Sequence, residues 1–495
     1  MDEQKLENFY KEWLKVLPRL SKGYLYNDAG NLHPTRYIFS YFKKIIFNFL
    51  TDQIDETEKI ILLPGIRGVG KTTLLMQIFN VEKFLNSEND LDSKILQNLN
   101  KLDHRFYLDA SKLHLEQISL NSFFKFFEKV NNFNFISLDK KVILLLDEVH
   151  FDQDWSLFLK VLFDSTKGHK NLLIIATGSS AINLKISADL MRRSTLVELY
   201  PLKFNEYLIL KHKIYPIKNL AEDLKKIIFN SKNTKEIFSG LKEKQDEVNR
   251  FFVNLPPDSE ENFFKNGGFP FSAQLKNEVE MAERIKNVIN GIIAKDIIAL
   301  KSFKTETLSK INDLLYLLAN SDIISYEKLL KSLRIDNIRT LTALLDVLVL
   351  SGILVKVKTY GTTYGTTRKT PKYLFITPSL RSAILNNNYP SGIEGKKLED
   401  YFALIFQKDI KGNYVFGAPK LSYDIAEDGA DFVLSLQNKK DVVIEVGFNK
   451  EEIKQVQNTM KKVRDSQCGL VIGSRKLELI NNSIVKIPLR FLMLI

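Results

Sequence analysis

The sequence predicts an α/β protein built on a parallel sheet, and three observations carry that prediction. A glycine-rich loop at residues 65–73 stands between an apolar run at 60–63 and a helical pattern at 74–79. A wholly apolar run at 142–146 ends in two acids, Asp147 and Glu148; runs this apolar suit a central parallel strand buried on both faces. Strand-like and helical stretches then alternate from about residue 55 to 204, the pattern of a sheet covered by helices.

Residues 1–50 read as helices. Phe9, Trp13 and Leu17 share one face, and Tyr37, Phe39, Tyr41, Phe42, Ile45, Ile46 and Phe49 form a second, aromatic-rich face. Their simplest role is a cap on the core.

The loop follows, with the spacing G-x4-G-K-T after a strand and before a helix, as a phosphate-binding loop requires. Its glycines let the backbone close around a phosphate with N–H groups pointing inward, and the helix N-terminus behind adds partial positive charge. Gly65, Ile66, Arg67, Gly68, Val69, Gly70, Lys71, Thr72 and Thr73 are therefore the expected cradle for ATP. Lys71 would reach the β- and γ-phosphates and Thr72 would offer its hydroxyl to Mg²⁺, with Thr73 the first ordinary helix residue. Residues 105–109 read as the next strand, and Phe123, Phe124, Phe126 and Phe127 as core on the helix after it. Asp147 would hold hydrated Mg²⁺ from its strand end, while Glu148 would polarise an attacking water, which makes the reaction hydrolysis. His150 reads as a hydrogen-bonded loop residue, because no partner histidine or cysteine stands at ligand spacing. A further buried strand at 171–176 ends in Thr177, Gly178, Ser179 and Ser180; this polar end either meets the γ-phosphate and water or caps a helix through Ser179 or Ser180. Arg192 and Arg193 precede a last strand at 195–199.

Residues 205–304 read as helical and charged, broken at Asn266, Gly267, Gly268, Phe269 and Pro270. Residues 305–388 give three amphipathic helices and two strands, the pattern of a winged helix whose third helix enters a major groove. Lys356, Lys358, Arg368, Lys369 and Lys372 form a basic edge on the wing for DNA phosphates. The third helix is apolar and has few side chains to read bases. Residues 389–495 return to an α/β pattern, with Glu399 on a helix, Asp431 before one strand and Glu445 within another.

Residues 65–73, Asp147 to His150, Thr177 to Ser180 and the segment 199–207 together resemble the AAA-type ATPases of the "archaeal ATPase" group, relatives of the origin-recognition and signalling P-loop ATPases. The resemblance implies a P-loop NTPase core at 51–204, a helical lid at 205–304 beside the nucleotide, a winged helix at 305–388 and a restriction-endonuclease-like domain at 389–495. It implies that Thr177 or Ser179 acts as sensor 1. It also makes Arg192 or Arg193 a finger acting in trans, worth ~10³ to 10⁵ in rate where such a residue operates; a homo-oligomer would follow. In the C-terminal domain it implies Mg²⁺ held by Glu399, Asp431 and Glu445. The lysine expected two residues beyond the second acid is replaced by Gly447, with Lys450 or Lys454 nearby, which favours a degenerate domain that does not cut.

Composition sets the outer limits. The chain has 495 residues, 44% hydrophobic and 26% charged, the profile of a folded protein of three or four domains. The net charge of +12 suggests an anionic partner such as double-stranded DNA. With Cys468 alone, neither an intramolecular disulfide nor a cysteine zinc site can form. No apolar run approaches the ~20 residues of a membrane span, and no signal segment opens the chain, so a cytoplasmic protein without a membrane partner is expected. Together these features predict a DNA-associated ATPase using ATP and Mg²⁺. The alternatives are a nucleotide-gated switch acting on a protein partner and an ATP-dependent nuclease.

Overall fold

The structure, a computed structural model, describes residues 3–178, 188–297, 303–321, 323–361, 369–386, 390, 392–411, 418–436, 441–463 and 466–495. The chain divides into two compact units, Met1–Leu199 and Tyr200–Ile495.

In the first unit, strands β1 (Ile60–Pro64), β2 (Leu102–Asp109), β3 (Lys141–Asp147), β4 (Leu172–Gly178) and β5 (Thr195–Leu196) form one sheet in the order β2-β3-β4-β1-β5. All neighbours run parallel. Every residue of β1, β3 and β4 is buried, which is why 60–64, 142–146 and 172–176 are continuously apolar. The register sets Asp109 opposite Asp147 and Leu63 opposite Thr177, so the loop after β1 and the ends of β2, β3 and β4 share one edge of the sheet. The last strand is shorter than the expected 195–199. Beyond Leu196 the chain still follows β1, with Leu199 N–H donating to the Pro64 carbonyl at 2.8 Å.

The N-terminal helices belong to this unit rather than to a domain of their own. Helix Glu3–Leu25 buries Leu6, Trp13, Leu17 and Leu25. Its Phe9 and Tyr10 pack on Phe123, while Tyr10 also meets Phe106, Phe126 and Phe127. Helix Ile38–Leu50 buries Phe39, Phe42, Ile45, Ile46, Phe49 and Leu50. Burying each such side chain contributes about 1.5–3 kcal/mol, so the aromatic faces anchor both helices to the sheet layer.

The second unit opens with helices, broken between Asn266 and Pro270, where helix Ser259–Asn266 gives way to Pro270–Gln274. Helices Thr305–Asn320, Tyr326–Leu333 and Ile338–Leu350 follow, and then the antiparallel pair β6 (Leu354–Thr359) and β7 (Lys372–Phe375). The remaining strands are β8 (Lys420–Tyr423), β9 (Phe432–Ser435), β10 (Asp441–Val446), β11 (Ser466–Ser474), β12 (Glu478–Ile480) and β13 (Ile484–Pro488). All eight form one mixed sheet, β12-β13-β11-β10-β9-β8-β6-β7.

The boundary drawn at 388/389 is therefore crossed by a sheet. β6 pairs in parallel with β8 through Lys358–Ser422 and Thr359–Tyr423. A fully buried ion pair reinforces the join. Arg381 donates to Asp400 through Nε at 2.6 Å and through its second terminal nitrogen at 2.8 Å, while another nitrogen donates to the Ala319 carbonyl at 2.8 Å. Asp400 also accepts the Phe375 N–H at 2.8 Å. One carboxylate thus ties β7, helix Pro378–Ile384 and helix Ile393–Ile405 together. Pairs this deep depend on further hydrogen bonds to the groups they take out of water, and here the Ala319 carbonyl and the Phe375 N–H supply two. No helix among the described residues is long and apolar enough to cross a membrane.

Candidate nucleotide site

The glycine-rich loop begins where β1 ends and leads into helix Lys71–Phe79, which starts two residues earlier than Thr73 because Gly70 caps it in the left-handed region at φ +94°. Glycine at 65 is dictated by space, since a Cβ there would lie 2.5 Å from the Leu199 carbonyl oxygen. Arg36, buried just before helix Ile38–Leu50, donates to the Val69 carbonyl at 2.8 Å and fixes the loop from behind. Lys71 is 6% exposed and donates to the Gly65 and Ile66 carbonyls at 2.8 and 3.2 Å.

Thr72 reaches across to β3, where its hydroxyl donates to Asp147 Oδ2 at 2.6 Å. Thr177, at the end of β4, donates its hydroxyl to Asp147 Oδ1. Tyr107, from β2, donates to Oδ2 at 3.0 Å. Burial and then the charge of Glu148 push the Asp147 carboxyl above its ordinary range; the Thr177 and Thr72 hydroxyls and Lys71 oppose that rise. A buried carboxylate ringed by hydroxyls beside a lysine is a hard oxygen site suited to Mg²⁺, so Thr72 and Asp147 fit the metal that the loop implies.

Glu148 sits in the left-handed region at φ +53°, and its N–H donates to Thr177 Oγ1 at 3.2 Å. Its carboxylate lies 3.4 Å from His150 Nδ1. Burial first, then Arg67 and Lys71, push His150 down to about 4. It is therefore neutral at pH 7, so its approach to Glu148 is a contact and not an ion pair.

Lys71, Thr72, Asp147, Glu148 and Thr177 thus converge. Ser179 lies outside the described residues. Among the described residues, Arg192 and Arg193 bond to Asp189 and Asp164 and not to this cluster. Arg193 is bound to Asp164 at 3.0 Å and to the Asp189 carbonyl, whereas Arg192 is largely exposed and meets Asp189 at 2.9 Å.

Four residues near these acids were not legible as site residues. Tyr107 holds Asp147, and Trp13 in turn donates to the Tyr107 carbonyl at 2.7 Å and stacks on its ring. Asp109 lies beside Asp147 in register; burial, Asp147 and Glu148 raise its carboxyl, while Ser111 opposes the rise. Burial first, then the charges of Asp147, Asp109 and Glu148, push the Tyr24 hydroxyl above its ordinary value. The acid ending the apolar 105–109 strand was a signal for Asp109. Nothing in the sequence pointed to Tyr24 or Trp13, which arrive from a helix far away in the chain.

Glu399, Asp431 and Glu445 come together around Lys372 and Lys450, which changes the basic edge expected of the wing. Lys372, assigned to the basic edge of the wing, is buried against Glu399 and Asp431. Lys450 is the lysine that reaches Glu445, at 2.9 Å, while Lys454 pairs with Asp428. Burial and Asp431 push Glu445 upward, against the pull of Lys450.

Comparison with known proteins adds family membership to this geometry. Residues 57–208 match a family described as AAA domain, and residues 259–391 a domain of unknown function, DUF8612. Solved structures that resemble the chain include the Walker-type ATPase paby2304 of Pyrococcus abyssi, at 16% identity over 69% of this chain and 95% of that one with a TM-score of 0.37. AMPPCP-bound DnaA from Aquifex aeolicus resembles it at 18% identity over 63% of this chain and 89% of that one, with a TM-score of 0.25. The uncharacterized protein MJ1637 of Methanocaldococcus jannaschii is 32% identical over 492 residues, 97% of this chain and 93% of its relative. The chain thus belongs to the family of MJ1637, with an AAA domain at residues 57–208.

Proposed function

We propose that the protein binds and hydrolyses ATP with Mg²⁺ and associates with double-stranded DNA through its second unit. The observation that carries the first half is the meeting of Thr72 and Asp147 at 2.6 Å beside the glycine loop and Lys71. Thr72 and Asp147 would hold Mg²⁺, which when bound neutralises phosphate charge. Lys71 supplies the fixed cation of the cradle. Glu148 orients and polarises water, its position set by its backbone bond to Thr177 and by neutral His150. Thr177 couples the two acids, since its hydroxyl donates to one and accepts from the backbone of the other. Arg192, the more exposed of the arginine pair, is the better placed to serve a neighbouring subunit.

The DNA half is supported by the net charge of +12 and by a cavity of about 450 Å³ at the start of helix Ile338–Leu350. Lys304, Lys310, Arg334 and Arg339 line it against two acids, Glu306 and Asp336. Cations at a helix N-terminus suit phosphate oxygens. A second reading, a nucleotide-gated switch on a protein partner, draws on the wing itself. Lys372 is buried and Lys356 is paired with Asp346 at 2.9 Å, which removes two cations from the basic edge.

Three measurements separate these readings. Lys71→Ala should abolish nucleotide binding, and Glu148→Gln should keep binding while losing about 10² to 10⁴ in turnover. Equal turnover in wild type and Glu148→Gln would refute hydrolysis through Glu148. Duplex binding should weaken with salt at a log–log slope of about −0.9 per phosphate neutralised, and absence of binding at low salt would favour the protein switch.

A further inference from the structure

The nuclease resemblance of the C-terminal lobe implies a divalent cation on Glu399, Asp431 and Glu445, and the donor set does not fit one. Each carboxylate already faces a cation of the chain. Glu399 is paired with Lys372, Asp431 lies 3.5 Å from the same ammonium, and Glu445 lies 2.9 Å from Lys450. Asp431 and Glu445 have their second oxygens engaged as well, whereas Glu399, among the described residues, meets only Lys372. Asp431 Oδ2 accepts the Val446 N–H at 3.0 Å, and Glu445 Oε2 accepts the Asp431 N–H at 3.1 Å.

Lys372 is 4% exposed, and its ammonium lies 5.2 Å from the centre of the Phe432 ring. An ammonium this deep must be paired to stay charged, and the carboxylates that pair it are the ones a metal would require. Its place is set by pairing of β7 with β6, where Lys372 stands opposite Val357. On the other side, Gly447 leaves room for the second lysine. A Cβ at 447 would come within 3.3 Å of the Lys450 side chain that reaches back to Glu445.

We propose that Lys372 is a built-in counter-ion standing where a metal-dependent nuclease would hold its divalent cation, so that this lobe is a metal-free, non-cutting platform locked to the β6–β7 hairpin. The site takes two ammonium groups from the chain in place of one doubly charged ion. This goes beyond the ATPase and DNA reading and does not depend on it.

The test counts bound Mn²⁺ by electron paramagnetic resonance on nucleotide-free, full-length protein. Wild type and the isosteric double variant Asp431→Asn/Glu445→Gln should bind equal amounts. Lys372→Met should gain one further Mn²⁺ per chain, and the same double substitution in that background should remove it. A wild-type ion that disappears in Asp431→Asn/Glu445→Gln would overturn the proposal. A folded Lys372→Met that gains no ion would overturn it as well. If Lys372→Met does not fold, the wild-type comparison alone decides, because it needs no change at residue 372.

Discussion

Tyr107→Phe removes a single hydroxyl from the wall of the nucleotide site. That hydroxyl donates to Asp147 Oδ2 at 3.0 Å, and burial with the neighbouring acids pushes its own ionisation far up, so it acts as a donor throughout the ordinary pH range. The ring should stay in place, since it stacks on Trp13 with centroids 6.1 Å apart and Trp13 bonds to the Tyr107 carbonyl, which the substitution spares. A hydrogen bond to a charged group contributes about 1.5–3 kcal/mol. Loss of a group that orients a metal ligand typically weakens metal affinity by about 10- to 100-fold, which is about 1.4 to 2.7 kcal/mol. The two figures agree. Binding of a fluorescent ATP analogue, titrated with Mg²⁺, should therefore show a midpoint raised by about 10- to 100-fold, with metal-free nucleotide binding unchanged. An unaltered Mg²⁺ midpoint would show that Tyr107 does not position Asp147 for the metal.

Gly65→Ala should displace the loop, because its Cβ would meet the Leu199 carbonyl oxygen at 2.5 Å; the expected cost is about 1–3 kcal/mol of stability, read by thermal unfolding, together with weakened nucleotide binding. Asp400→Ala leaves the fully buried Arg381 without its carboxylate and should cost about 3–5 kcal/mol in denaturant unfolding. Cys468 is buried in β11 with its thiol pushed up to about 12, so a disulfide reagent at pH 8 should react only after unfolding. Rapid native-state labelling would mean that β11 opens on its own.

Much of the candidate nucleotide site was legible because its loop residues are local in sequence. Strand, glycine loop and helix follow one another within about twenty residues, and the spacing itself is the chemistry. Asp147 and Glu148 were equally visible, since an apolar strand ending in acids can be recognised from its own residues. Lys372 shows the limit of that kind of inference. By composition it was one more cation on a solvated wing, yet pairing of β6 with β7 and β8 turns it into a buried partner of Glu399 and Asp431. The same limit explains the unseen roles of Tyr107 and Trp13 beside Asp147.

The sequence by itself determined the parallel core, its apolar strands and the glycine loop between strand and helix, because glycine spacing and continuous burial are properties of short segments. Only the tertiary structure decided which charges meet. A charged side chain is defined by the partner it faces, and for Lys372 and Arg381 that partner stands on another element of the fold.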